Sequence, residues 1–150
     1  MTSLKLKRPI LRSDCQALCH IAKHDDKTLT PMVLQYMLRQ KRTSGILYEH
    51  EIDGVAHPIT FMVYTRRPAH RDLLVNCIHC HLEYDGTELF PMLLGVLMRR
   101  LTPKYSSIAI EVNSKQEELV QAVQQMRFAL RDTKTWNIGT FLEFSYGIGQ

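Results

Sequence analysis

The segment 73–103, LLVNCIHCHLEYDGTELFPMLLGVLMRRLTP, decides the architecture. Leu73 to Glu83 reads as one long strand, with apolar residues and polar ones interleaved. Asp85-Gly86-Thr87-Glu88 follows with the spacing of a capping box, an acceptor side chain three residues ahead of a glutamate. FPMLLGVLMRRL then carries apolar residues at helical spacing, and Thr102-Pro103 stops it. A strand that feeds into a helix start in this way leaves unpaired N–H groups at the turn.

Upstream, Asp53-Gly54 is a strong short-range hairpin signal, flanked by the strand patterns Ile46 to Ile52 and Val55 to Thr65. Pro58 is then expected at an edge, a strand start or a bulge. Further back, Leu4 to Pro9 suggests a short first strand. Ser13 with Gln16 opens a helix to about His24, burying Leu18, Ile21 and Ala22, and Thr30-Pro31 opens a second one. Downstream come a strand at Ser107 to Val112, a helix at Lys115 to Arg131, and two short β patterns at 136–138 and 141–144. The order β-α-α-β-β-β-α-β-α-β-β gives an α+β fold, in which a mixed, twisted sheet needs helices on both faces.

The 150 residues fit a single domain, 1–150. Apolar residues make up 45% and charged ones 23%, which excludes a disordered or collagen-like chain. No apolar run is long enough for a membrane span, and the basic start lacks the apolar core of a secretory signal. The expected location is therefore cytoplasmic, with Cys15, Cys19, Cys77 and Cys80 as reduced thiols. Nineteen Lys and Arg against 15 Asp and Glu leave a charge of +4. The basic groups are scattered among acidic ones along the chain, so no nucleic-acid partner is expected.

The order of elements, with Tyr84 to Leu94 placed between a long strand and an apolar helix, resembles the GNAT superfamily of acyl-CoA-dependent N-acyltransferases. Tyr84, Gly86, Leu93 and Leu94 fall in register with that family's phosphate-binding turn and paired leucines. In 108–128, IAIEV and QEELVQAVQQMRF follow its next strand and helix, with Gln116 at a usual asparagine and Phe128 as the closing aromatic. The resemblance implies acetyl-CoA or another acyl-CoA as donor. Its pyrophosphate would lie on the helix start at Tyr84, Asp85, Gly86, Thr87 and Glu88, and its pantetheine arm along Cys80 and Leu82. Several signature residues differ. Asp85 replaces an arginine or glutamine, Glu88 and Phe90 replace glycines, and Arg127 replaces a glycine. Val123 stands where many members have a tyrosine that protonates the leaving thiolate, and Leu74 where some carry a carboxylate base.

On the 73–83 strand, alternation sets His79, His81 and Glu83 on one face. Beside an acyl-transfer cleft, any of them could take a proton from an amine; on an ordinary solvated face they are only polar residues. Cys77-Ile78-His79-Cys80-His81 has the C-x-x-C-H pattern of haem attachment, but within a strand its cysteines point to opposite faces, so no haem is expected. Cys15 and Cys19, like His20 and His24, share helical faces without the tight spacing of a zinc site, and no metal is expected.

Three readings follow. The first is an N-acyltransferase that moves an acyl group from acyl-CoA or a carrier protein to a small-molecule or protein amine. The second is a GNAT-fold protein without catalysis that works through contacts with a protein partner or a second copy of itself. The third, a Cys/His metal-binding protein, is the most remote.

Overall fold

Asp53 and Gly54 both adopt left-handed backbone conformations, φ 52° and 78°, and close the hairpin that starts the sheet. The computed structural model describes residues 5–147, so the expected strand residue Leu4 lies outside them. The chain runs β1 (Lys5–Pro9), α1 (Cys15–Ala22), α2 (Pro31–Arg39), β2 (Thr43–Ile52), β3 (Val55–Arg67) and β4 (Asp72–Cys80). It continues with α3 (Gly86–Arg99), β5 (Ser107–Asn113), α4 (Glu117–Gln125), β6 (Ala129–Trp136) and β7 (Gly139–Gly147). Short 3-10 turns at Arg12–Asp14 and Pro68–His70 complete the path. The order of helices and strands is the expected one.

Seven strands form one sheet in the order β1-β2-β3-β4-β5-β7-β6. All neighbours are antiparallel except β4 and β5. A bulge at Tyr48/Glu49 lies opposite Pro58, which has no N–H to give to the ladder. On one face, α1 and α2 bury Cys15, Leu18 and Leu34 against Leu47, Phe61 and Val63. On the other, α3 and α4 bury Leu93, Leu97 and Leu119 against Met62, Ile78 and Ile110. Each such fully buried aliphatic or aromatic side chain contributes about 1.5–3 kcal/mol. No helix among the described residues is long and apolar enough to cross a membrane.

Four local expectations change. The short strand expected at 136–138 falls on the last residue of β6 and the turn into β7. β4 stops at Cys80, three residues short of Glu83. His81 makes a last bond to Ile59 O (2.7 Å), and Tyr84 N–H then closes a turn on His81 O (2.9 Å). The helix expected to reach Arg131 ends at Gln125, because Arg127 turns left-handed (φ 67°) and Ala129–Trp136 pairs with β7 as β6. Ser13 does not cap α1: Asp14 stands at its N-cap, with a carboxylate that accepts from Arg8 twice at 2.7 Å and from Leu11 N–H at 2.6 Å.

Candidate active site

β4 and β5 run side by side only from Asp72↔Ser107 to Val75↔Ile110. Beyond that point they splay apart, β4 continuing to Cys80 and β5 to Asn113. β3 covers the far side of β4 and β7 the far side of β5. The backbone edges facing the gap therefore have no neighbouring strand among the described residues, and edges of this kind accept extended amide groups. A cavity of about 400 Å³ occupies the gap, lined among others by Asn76, His79, Glu111 and Phe141. A second cavity of about 250 Å³ shares Asp25, Gln116 and Leu119 with it and reaches Cys80 and Tyr84.

The loop after α1 reaches this cleft with Asp25 and Asp26. His79 is 4% exposed, its ring 5.5 Å from that of Phe61. Its Nδ1 lies 2.8 Å from Asp25 Oδ1, and its Nε2 3.9 Å from Asp26 Oδ2. The shorter contact is at ion-pair distance without the alignment of a hydrogen bond, and Nδ1 has no other partner among the described residues. Asp25 Oδ2 also accepts from Gln116 Nε2 at 3.1 Å, which ties the loop to the start of α4 across the cleft. Burial works to raise the Asp25 carboxyl pKa. The neighbouring His79, Gln116 and His24 outweigh it and hold the group below its ordinary 3.8.

Of the other two expected proton acceptors, His81 lines the smaller cavity and Glu83 lines neither. His81 and Glu83 sit past the end of β4, so the alternation that grouped them with His79 does not extend to them. His81 Nδ1 accepts from Glu83 N–H at 3.1 Å, and Glu83 is exposed. The Tyr84 ring stands edge-on to both His50 and His81, and its hydroxyl lies 2.6 Å from His50 Nδ1. Leu82 is 73% exposed. Burial pushes the Cys77 and Cys80 thiols up to about 12, so both stay protonated and unreactive at neutral pH.

At the start of α3 the chain supplies its own anions. Gly86 N–H donates to Glu118 Oε2 (2.6 Å), Thr87 N–H to Asp85 Oδ1 (2.9 Å), and Glu88 N–H to Asp85 O (3.1 Å). Asp85 stays below the usual carboxylate range because the Thr87 hydroxyl and N–H both bond its charged form. Phe90 packs back over the turn: a Cβ on Gly86 would lie 2.6 Å from its Cε2. The residues expected to cradle a pyrophosphate are thus together, and these N–H groups already have partners.

The sequence reading missed Asp25, Asp26, His50 and Glu118. Glu118 looks like an ordinary acidic residue in the first turn of a helix, and Asp25-Asp26 like the polar loop after one. Only the fold brings them to β4 and α3.

No protein-family model and no curated protein matches this chain. Solved structures do. Arabidopsis thaliana NAA60 in complex with acetyl-CoA is 13% identical, with 98% of this chain and 100% of that one covered at a TM-score of 0.79. Ard1 from Thermoplasma volcanium is 13% identical over 97% and 99% of the two chains, at 0.76. The ribosomal-protein-S18-alanine N-acetyltransferase from Escherichia coli is 12% identical over 98% and 96%, at 0.74. With the splayed β4–β5 pair and the turn leading into α3, this likeness over nearly the full length shows that the chain has the GNAT fold.

Proposed function

We propose that this protein transfers an acyl group from an acyl thioester to an amine. The observation that carries the reading is the open splay between β4 and β5 with His79 in its wall. The amide groups of a pantetheine arm fit the free strand edges, which would place the thioester near the middle of β4. Neighbours of this fold include N-acetyltransferases, one of them solved with acetyl-CoA. In the proposed reaction the amine enters the larger cavity. His79 takes its proton, and Asp25 positions the imidazole and balances the charge it gains. The neutral nitrogen attacks the carbonyl carbon, the C–S bond breaks, and the thiolate leaves. Val123 is wholly buried and has no proton to give, so the thiolate is protonated by solvent.

The donor is an acyl-CoA held chiefly by its pantetheine arm. Carboxylates already take the Gly86 and Thr87 N–H groups, so its phosphates receive little help there. The test is thiol release from acetyl-CoA and longer acyl-CoAs in the presence of a panel of amines. Turnover is expected for at least one pair, and His79→Gln should lower kcat by about 100-fold or more. An unchanged kcat in His79→Gln would remove His79 from the mechanism. Absence of thiol release for every pair would overturn the proposal.

A further inference from the structure

The end of the sheet opposite the splay gathers the chain's basic residues. The segments 39–42 (RQKR), 66–71 (RRPAHR) and 99–104 (RRLTPK) carry three Lys or Arg each, nine of the chain's 19, and no acidic residue. Elsewhere ten Lys and Arg face all 15 Asp and Glu, so the net positive charge of the molecule resides in these three segments. They looked scattered because the chain visits this end on separate passes. The ladder brings Thr43 opposite Thr65 and Arg67 opposite Asp72. Arg66 N–H bonds Arg42 O at 2.9 Å, the Arg71 guanidinium reaches Pro103 O at 2.6 Å, and Arg100 bonds the Tyr64 hydroxyl.

Only one of these cations is neutralised in an ion pair among the described residues: Arg67 binds Asp72 through two bonds of 2.8 and 2.6 Å. Arg39, Lys41, Arg42, Arg71, Arg99 and Lys104 are exposed. Two of them, moreover, sit where a side chain is disfavoured. Arg42 and Arg71 have φ of 65° and 54°, a conformation that glycine adopts without strain and other residues rarely do. Arginine at both turns places a guanidinium at this end at a cost in backbone strain.

We propose that this basic end binds the phosphate backbone of a nucleic acid. A field of exposed arginines and lysines spread across several elements, without carboxylate partners among the described residues, matches repeated phosphates, each of which accepts the guanidinium fork. The composition of the surface selects this partner over others. None of the large hydrophobic residues that the molecule exposes lies in the three segments. A protein interface would have an apolar centre, and a membrane-binding surface would have apolar anchors, whereas nucleic-acid interfaces are polar and strongly positive. The site lies away from the cleft and does not depend on the proposed acyl transfer.

The test is fluorescence anisotropy of the full chain with a labelled single-stranded RNA and a DNA duplex, each about 20 nucleotides or pairs long, titrated at several salt concentrations. Binding is expected at about 50 mM salt and should weaken steeply as salt rises. The triple variant R42G/R71G/R99Q keeps the left-handed turns accessible while it removes three charges. It should weaken binding at least about ten-fold and flatten the log–log salt slope by about 3. The control variant K7Q/R12Q/K23Q, with the same charge change on other surfaces, should shift the affinity less than about two-fold. Circular dichroism verifies that both variants are folded. Absence of binding at low salt, or equal losses in the two folded triples, would overturn the proposal. So would tighter binding to anionic phospholipid vesicles or to polyglutamate than to either nucleic acid.

Discussion

Two parts of the cleft meet at the end of β4 and have been treated in opposite ways. Between β4 and β5 the chain leaves backbone edges without a strand neighbour and a cavity beside them. At the start of α3, a few residues further on, it satisfies the helix N–H groups with Asp85 and Glu118 and packs Phe90 over the turn. The difference shows that a fold keeps the geometry of a site more readily than its chemistry. Strand splay follows from topology and core packing, whereas an anion cradle depends on two or three side chains.

The contrast can be broken at the turn. Gly86→Ala puts a methyl group into the Phe90 ring, with Cε2 at 2.6 Å, Cδ2 at 3.0 Å and Glu118 Cβ at 3.2 Å. The ring is nearly buried and has little room to retreat. Urea unfolding should show a loss of about 1–3 kcal/mol, whereas a loss well below that would mean that the turn is not closely packed.

A smaller effect is expected where the turn meets anions. Glu118→Gln keeps an acceptor for Gly86 N–H and removes one negative charge. Coenzyme A should bind about five- to ten-fold more tightly, as read by calorimetry. Unchanged affinity would show that the Glu118 carboxylate does not oppose the phosphates.

The smallest effect concerns pH at the splay. The Asp25 pKa is depressed in the folded protein, so its stabilising contribution is present above the ordinary 3.8 and is lost as pH falls through the folded value. Asp25→Asn should lower Tm by about 2 °C at neutral pH and flatten its fall in acid. Asp14, held low chiefly by its hydrogen bonds from Arg8, has the same sign and continues to titrate in this variant. An acid limb identical to that of the parent would mean that Asp25 adds nothing to the fold.

Most of the architecture was legible because each element announces itself locally. Asp53-Gly54 demands a hairpin, Thr30-Pro31 opens a helix, with Val33 N–H bonding the Thr30 hydroxyl at 3.2 Å, and FPMLLGVLMRRL has a single strongly apolar character. The α4–β6 junction was not legible. Arg127 takes the left-handed turn usually marked by glycine, and β6, ALRDTKTW, is largely exposed and becomes a strand by pairing with β7. The site was half legible. His79 could be named from its strand, but Asp25 is brought to it only by the packing of α1 on the sheet, and the early end of β4 removed His81 and Glu83 from its face.

The sheet has two outer rims and one inner opening, and they are guarded differently. Along the rims, Lys7, Arg8 and Pro9 on β1 and Arg131, Asp132 and Lys134 on β6 discourage a foreign strand from adding on. Along β4 inside the splay, Asn76, Cys77 and Ile78 bring no charge. Under the proposed function, an extended chain bearing amides would thus be turned away at the perimeter and admitted in the middle of the sheet, and the precaution against strand addition would also direct strand-like ligands to the cleft.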